Sequence, residues 1–395
     1  MSQENYTAKI LGMEDIEVEK IECMDNQQRI SFHLPRRQLE CPECGCLTDK
    51  VHDYRVRTLH DLPLQGQALI LFYKRRRYMC PMCGKRFPEP FSLAGTKQQM
   101  TARLVIHALD MSKERRSETS IAKELGVSVS TAIRWLKYLP QSKPSELPEV
   151  LSIDEFRGNA GGERFQCILA APVKKELVDI LPNRSSTTII DYLKSFENRS
   201  SVKYWIMDMN RPYLEIAKTF LPNAKIVIDR FHFVRYCVEA FEKVRKRVQK
   251  EISAQKRRYF KRSRKLLIKR AADLSVEDAQ AVNVMLAQSE DLSEAWSLKE
   301  EFYSFLDSKN SIEARNRLDK FSYFVKSLKL KEFKSFLKTL KNWEEYILNA
   351  FDCPYSNGYT EGMNNATKVL KRVTFGMPNF INFRIRILNC ASIHP

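Results

Sequence analysis

The chain has 395 residues, of which 66 are Lys or Arg and 48 are Asp or Glu, so its formal net charge is +18. A surplus of this size favours a polyanion such as nucleic acid as the partner, although a basic enzyme of unrelated function would share it. No apolar run reaches the roughly 18 residues of a transmembrane helix, and the polar N-terminus lacks the apolar stretch of a secretory signal. The composition argues against membrane association and predicts a cytoplasmic, nucleoid-associated protein.

The first segment alternates weakly between apolar and polar side chains, and we expect residues 1–35 to form strands. Two nearly identical turns follow, Cys41-Pro-Glu-Cys44-Gly and Cys80-Pro-Met-Cys83-Gly. Four thiolates are the closed ligand set of a structural zinc site. We therefore predict one Zn²⁺ held by Cys41, Cys44, Cys80 and Cys83, with a β-hairpin between the two pairs. A redox function would need one pair beside a β-α-β unit rather than two matched turns.

Three arginines, Arg75, Arg76 and Arg77, closely precede the second cysteine pair. Clustered arginines predict contacts with DNA phosphates. A solvated, charged strand end is the alternative interpretation.

The segment SETSIAKELGVSVSTAIRWLKYL has the spacing of a helix-turn-helix. Gly126 permits the tight turn, and Ser128 or Ser130 can cap the second helix. Ser130, Thr131 and Arg134 would then face the major groove of DNA. Short helix pairs of this pattern also occur in proteins that do not bind DNA.

From about residue 150 the chain predicts three strands, a helix, a strand, a helix and a strand, an order typical of a mixed α/β fold. Asp154 lies in the strand LSIDEF, and Asp208 ends the strand KYWIMD. Glu361 begins a further helix, after a helical segment from Phe231 to about Asn349. A single aspartate at a strand end often only caps the next element. Three such carboxylates together are suited to holding Mg²⁺ or Mn²⁺ against a phosphodiester.

Asp229 and His232 form the sequence DRFH directly after a further strand. One interpretation is a pair near the active site that places the scissile strand or orients a metal ligand. The alternative is a buried core histidine that caps the following helix. Asp229 is the reserve candidate should Asp208 not be the second metal ligand.

The stretches IDEF, MDMNRPY, PNAKIVIDRFHFVR and NGYTEGMNNATKVLKRVTFGMPNFINFRIRIL, with CPECG and CPMCGKRF, resemble the zinc-ribbon DDE transposases of bacterial insertion sequences, most closely the ISL-three-type family. The resemblance implies an α/β, RNase H-like catalytic core with a long all-α insertion, preceded by a zinc ribbon and a helix-turn-helix. It also implies that Asp154, Asp208 and Glu361 are the catalytic acids. The expected domains are a zinc ribbon at 1–95, a helix-turn-helix and linker at 96–147, core segments at 148–240 and 350–395, and the insertion at 241–349.

Two later segments are strongly basic. Residues 243–270 contain fourteen Lys or Arg against one Glu, more than pairs four residues apart can neutralise, which predicts phosphate contacts. Five basic residues after the third acid are expected to hold DNA across the site: Lys368, Lys371, Arg372, Arg384 and Arg386.

Taken with these features, the resemblance implies a transposase that binds the terminal inverted repeats of an insertion sequence. With Mg²⁺ or Mn²⁺ it would cut the 3′ ends of the element and join them to target DNA. Its partner would be double-stranded DNA, and the need to hold two ends predicts a homodimer or larger assembly. The alternatives are a non-catalytic DNA-binding regulator derived from a transposase and a metal-dependent nuclease without strand transfer.

Overall fold

The computed structural model describes residues 3–13, 15–24, 27–95, 98–141, 143–253, 255–260 and 263–391. The chain forms two compact units. The first combines Met1–Ser142 with Thr367–His394, and the second spans Lys143–Ala366. This division differs from the expected domains, in which residues 350–395 belong as a whole to the catalytic core. Among the described residues, no helix has the length and apolar character needed to cross a bilayer.

The N-terminal segment begins with a helix rather than a strand. Helix α1 spans Gln3–Ile10, and it is followed by strands β1 (Glu17–Met24) and β2 (Gln27–His33), which pair antiparallel. Ala8 and Leu11, three residues apart, are both buried. The expectation of strands throughout residues 1–35 is therefore wrong for the first ten or so residues, where the apolar spacing is helical.

A long hairpin separates the two cysteine pairs, as predicted. Five strands follow β2: β3 (Leu39–Glu40), β4 (Leu47–Thr48), β5 (Val51–Leu64), β6 (Gln67–Met79) and β7 (Arg86–Pro88). The hairpin of β5 and β6 turns through Gln65 and Gly66, both with positive φ (54° and 77°), as a two-residue hairpin turn requires. The sheet has the order β1-β2-β6-β5, with β7 paired to β6.

Three short helices follow this sheet: α2 (Ala102–Lys113), α3 (Glu118–Leu125) and α4 (Val129–Trp135). Gly126 ends α3 with φ +65°, and the Ser128 side chain accepts a hydrogen bond from the backbone N–H of Thr131. Ile121, Leu125 and other buried apolar side chains form a core between the helices. The two predicted helices and the glycine turn are therefore present.

The second unit contains a five-stranded mixed sheet. Its elements follow in the predicted order: β8 (Val150–Phe156), β9 (Gln166–Ala171), β10 (Glu176–Leu181), α5 (Ser186–Lys194), β11 (Tyr204–Met207), α6 (Arg211–Phe220) and β12 (Lys225–Ile228). The sheet order is β10-β9-β8-β11-β12. Strand β9 runs antiparallel to both of its neighbours, whereas β8, β11 and β12 are parallel.

A large helical segment continues the second unit, as predicted. Its helices are α7 (Arg230–Glu251), α8 (Ser263–Ile268), α9 (Val276–Leu286), α10 (Glu290–Leu306), α11 (Ser311–Ser327), α12 (Lys331–Asn342) and α13 (Glu344–Asp352). Phe302 is fully buried at its centre, and its ring lies 5.4, 5.5 and 5.1 Å from those of Phe305, Phe321 and Phe336. These contacts form one core with the apolar face of the sheet.

Two C-terminal helices complete the described chain, α14 (Gly358–Val373) and α15 (Phe380–Ala391). The Arg386 side chain on α15 is fully buried and forms an ion pair with Glu118 of α3. Its guanidinium also donates to the backbone oxygens of Glu114 (3.2 Å) and Arg116 (2.7 Å). The expectation that Arg386 contacts DNA is therefore wrong, because this arginine holds α15 against the helices before it.

Candidate active site

The register of the parallel strands brings two of the three predicted acids together. Strands β8 and β11 pair with Ser152 opposite Ile206. When this register is continued by two residues along both strands, Asp154 lies opposite Asp208. Neighbouring strands are about 4.8 Å apart, so the two carboxylates share one edge of the sheet.

Asp229 continues this row on the third parallel strand. Strands β11 and β12 pair with Met207 opposite Ile228, which places Asp229 beside Asp208. The backbone N–H of Asp229 donates to the Met207 oxygen at 2.9 Å and extends the ladder by one step. Asp154 lies near the end of β8, and Asp208 and Asp229 directly follow β11 and β12, so three acids lie side by side at one edge of the sheet. This concentration of negative charge favours a bound cation.

His232 joins the row from the first turn of α7. Its Nε2 atom lies 2.7 Å from Asp208 Oδ1 and 3.9 Å from Asp229 Oδ2. The ligand atoms of Asp154, Asp208 and His232 all lie within 4.8 Å of one another, which is close enough for one metal ion. The structure therefore brings His232 to the two acids from which it is distant in sequence.

Glu361 lies on the first turn of α14 and outside that three-residue group. The helix is anchored to β8 by the hydroxyl groups of Thr360 and Ser152, 2.7 Å apart, and by a hydrogen bond from the Asn364 amide to Asp154. Glu361 is near enough to Asp229 for its charge to raise the pKa of that carboxyl. The sequence-based assignment of Glu361 as a metal ligand remains a proposal.

Burial and crowding perturb the titration of these groups. Burial, with the charge of Asp208, raises the pKa of Asp154 to about 7. Burial also raises the pKa of Asp229 to about 6, although His232 opposes the shift. Burial alone would lower the pKa of His232, but the contact with Asp208 raises it overall. These carboxylates are costly to ionise together without a cation.

Buried oxygen atoms without hydrogen-bond donors also favour a cation. Among the described residues, Asp229 Oδ2 and Asn364 Oδ1 are buried and have no hydrogen-bond partner. Hard divalent cations prefer carboxylate and amide oxygens as ligands. The residues present therefore fit a divalent metal centre.

The four predicted zinc ligands converge in the first unit. Their sulfur atoms lie within 4.8 Å of one another, with pairs such as Cys41–Cys83 at 3.6 Å and Cys44–Cys80 at 3.5 Å. A tetrahedral zinc with Zn–S bonds of about 2.3 Å places its sulfur atoms roughly 3.8 Å apart. The cluster therefore has the dimensions of a zinc site, while Cys46 lies outside it.

Comparison with known proteins agrees with both the acidic site and the zinc site. A family model described as "Transposase", the ISL3 type of DDE transposase, matches residues 151–387, more than half of the chain. The chain belongs to this transposase family. A second model, described as the zinc-finger of transposase IS204/IS1001/IS1096/IS1165, matches residues 37–83, which include the four predicted zinc ligands. The resemblance stated from the sequence motifs is thus confirmed.

Two curated proteins illustrate the extent of the similarity. The transposase for insertion sequence element IS1001 of Bordetella parapertussis is 25% identical over 389 residues, covering 95% of each chain. A protein of Lactococcus lactis subsp. lactis named ATP-dependent protease is 41% identical over 56 residues, which is 14% of this chain and 18% of that protein. Because this second match is so short, it says nothing about the activity of the chain.

Two residues at the acid cluster of the transposase escaped the sequence reasoning. Asn364 follows Glu361 by three residues, and this helical spacing was the available signal. Glu155 accepts hydrogen bonds from Tyr213 (2.7 Å) and Asn210 (3.2 Å) at the start of α6. Tyr213 and Asn210 are distant from Glu155 in sequence, so no local pattern indicates these hydrogen bonds. An open cleft of about 460 Å³ begins at Glu155.

The predicted recognition residues are accessible. Ser130 and Arg134 are exposed on α4, and Thr131 is half-buried. On α14, Lys368 and Arg372 are exposed and Lys371 is half-buried. Nothing in these positions conflicts with DNA contacts.

The three arginines before the second cysteine pair are engaged within the protein. The Arg76 side chain is buried and forms an ion pair with Glu89 (3.4 Å). Arg75 donates to the Glu89 backbone oxygen (2.7 Å), and Arg77 lies 3.0 Å from Asp53. The prediction of a DNA contact is therefore wrong for Arg76. Arg75 and Arg77 could contact phosphate only by giving up their partners within the protein.

The basic segment 243–270 is partly neutralised by acids from elsewhere in the second unit. Arg247 lies 2.6 Å from Asp291 and 3.0 Å from Glu332. Other such pairs join Arg245 and Arg264 to Glu242, Lys269 to Asp278, and Arg270 to Asp307. The prediction that the whole segment contacts phosphate is therefore too broad. Three exposed lysines on one face of α7 have no ion pair with a described residue: Lys243, Lys246 and Lys250.

Replacing one zinc ligand should remove the metal. The change Cys80→Ser is expected to lose the bound zinc and to destabilise the first unit by several kcal/mol, because structural zinc binding contributes about 10–16 kcal/mol in zinc-finger peptides. Elemental analysis and thermal unfolding measure both effects. The matched control Cys46→Ser removes a nearby thiol and should keep the zinc. Full zinc content in Cys80→Ser would contradict the assignment.

Proposed function

We propose that the protein binds the terminal inverted repeats of an insertion sequence and catalyses metal-dependent cleavage and strand transfer. The observation that carries this proposal is the row of three acids on adjacent parallel strands, with Asp154 in β8 and with Asp208 and Asp229 directly after β11 and β12. Membership of the transposase family supports the same chemistry. An RNase H-like core is supported by the sheet, in which only the second strand in sequence, β9, runs against the others.

Asp154 and Asp208 would hold the catalytic ions, with Glu361 as the third acid and His232 or Asp229 at the edge of the site. When bound there, a pair of Mg²⁺ or Mn²⁺ ions would activate a water or 3′-hydroxyl nucleophile and neutralise the charge that develops on the phosphate. No protein nucleophile is needed for either reaction.

The surrounding side chains position these ligands. His232 contacts Asp208, and the Asn364 amide donates a hydrogen bond to Asp154. One oxygen of each carboxylate is therefore held in place by a neighbouring side chain. Such contacts around metal ligands fix their orientation. The Thr360–Ser152 contact in turn fixes the start of the helix that carries Glu361.

DNA recognition is assigned to the zinc ribbon and to α3 and α4 as a helix-turn-helix. The exposed residues of α4, Ser130 and Arg134, would reach base edges in the major groove. Strand transfer requires two element ends in one complex, so we propose that a homodimer or larger assembly forms on DNA.

Arg134 should separate recognition from chemistry. The change Arg134→Ala is expected to weaken binding to a repeat-containing duplex by about 1–3 kcal/mol if the side chain contacts a base. Binding to an unrelated duplex should change much less. Competition binding with both duplexes measures the difference. Equal affinities of parent and variant for the repeat would remove Arg134 from the recognition surface.

A product analysis tests the proposed function as a whole. The substrate is a labelled duplex that ends in the inverted repeat bordering the coding region, mixed with a supercoiled target and Mg²⁺. The proposal predicts cleaved ends and, later, ends joined to the target. Cleavage without joining would identify a nuclease, and binding without cleavage would identify a regulator.

A further inference from the structure

One residue at the end of α14 is both fully exposed and strained. Phe375 is 93% exposed. Its φ is +55°, in the left-handed region that bulky side chains rarely occupy. A single exposed apolar residue is ordinary, but an exposed aromatic ring on strained backbone requires an explanation.

The strain arises from the way the helix ends. The Gly376 N–H donates to the Lys371 oxygen (2.9 Å), and the Phe375 N–H donates to the Arg372 oxygen (3.2 Å). This is the Schellman motif, whose left-handed position glycine fills most easily. Phenylalanine there adds strain and buries nothing, so the folding of this helix end does not account for it.

Exposed positive charge lies just before the ring in the chain. Lys368 and Arg372 are both exposed and lie one turn apart on the same face of α14. Within the described part of the chain, neither side chain forms an ion pair. Phe375 follows Arg372 by three residues, just beyond the end of this helix. An exposed ring therefore comes directly after two cations that have no acidic partner in the described chain.

We propose that Phe375 stacks on an unpaired nucleobase of DNA whose phosphates contact Lys368 and Arg372. The proposal rests on the proposed function, because it assumes a DNA substrate. Aromatic rings beside a basic surface are the usual platform for single-stranded nucleic acid, since every base has a face that can stack. A protein partner would not require the two cations that precede the ring.

The test uses the full-length protein and a short single-stranded oligonucleotide of mixed sequence that contains 2-aminopurine. The change Phe375→Ala should weaken binding by about 5- to 150-fold, the range for loss of one base–aromatic stack. It should also remove the change in 2-aminopurine fluorescence on binding. Phe375→Trp should retain both signals.

Phe375→Gly separates stacking from folding. Glycine relieves the left-handed strain, so its unfolding temperature should equal or exceed that of the parent while binding falls as in Phe375→Ala. The control Tyr323→Ala removes a ring that is 70% exposed on α11 and should leave binding unchanged.

Unchanged binding and fluorescence in Phe375→Ala would overturn the proposal. So would a loss of self-association in Phe375→Ala with normal DNA binding, because it would assign the ring to a protein interface. If the parent protein binds neither this oligonucleotide nor duplex DNA, the proposed function itself fails.

Discussion

Asp154→Asn and Asp208→Asn are each expected to lower Mg²⁺- or Mn²⁺-dependent DNA cleavage by more than about 10³-fold. Each change keeps the shape of the side chain and removes one negative charge from the row of acids. Catalysis depends on that charge, whereas affinity for DNA comes from Lys and Arg contacts with phosphate. Repeat binding should therefore persist or tighten. Glu361→Gln should behave in the same way.

Controls within the same unit sharpen this prediction. Asp191→Asn changes an exposed acid on α5 and should cleave like the parent. Asp229→Asn tests the neighbouring acid on the third strand. If Asp229→Asn is inactive while Asp208→Asn still cleaves, the second acid is misassigned. The proposed mechanism would be excluded if every variant other than the Asp191→Asn control cleaved DNA as well as the parent.

Arg386→Met is expected to destabilise the first unit by about 3–5 kcal/mol. The change leaves Glu118 as a buried, uncompensated charge and removes the donors to two backbone oxygens. Chemical unfolding followed by far-ultraviolet circular dichroism measures the loss. The double variant Glu118→Leu/Arg386→Met removes both charges and should recover much of the stability.

Arg134→Ala is the matched control for this change, because its arginine is exposed on the same group of helices. It should unfold like the parent protein. An Arg386→Met variant as stable as the parent would show that α15 does not depend on this ion pair.

Local patterns in the sequence were sufficient to predict the zinc ligands, two of the acids and the order of helices and strands in the second unit. The spacing of the four cysteines predicted their cluster, and the aspartates at or near strand ends indicated Asp154 and Asp208 as candidate metal ligands. The helix, strand and turn order of the second unit was also predictable, because each element carries its own periodicity.

Contacts between distant parts of the chain were not predictable in this way. Arg76, Arg247 and Arg386 look like DNA-binding arginines in the sequence, yet each pairs with an acid that no local pattern indicates. His232 has two interpretations from the sequence alone, and only the folded chain shows its Nε2 atom 2.7 Å from Asp208. Asn364 follows Glu361 by three residues, but that spacing alone does not indicate its contact with Asp154, which lies 210 residues earlier in the chain.

Anomalous scattering from Mn²⁺ in crystals of the complex with repeat DNA tests the central claim most directly. The account predicts Mn²⁺ bound by Asp154 and Asp208, with the Glu361 carboxylate as a further ligand and the scissile phosphate in contact with the ions. Asp154→Asn crystals should show weakened or absent peaks there. A DNA complex without Mn²⁺ at Asp154 and Asp208, under conditions in which the DNA is cut, would contradict the account.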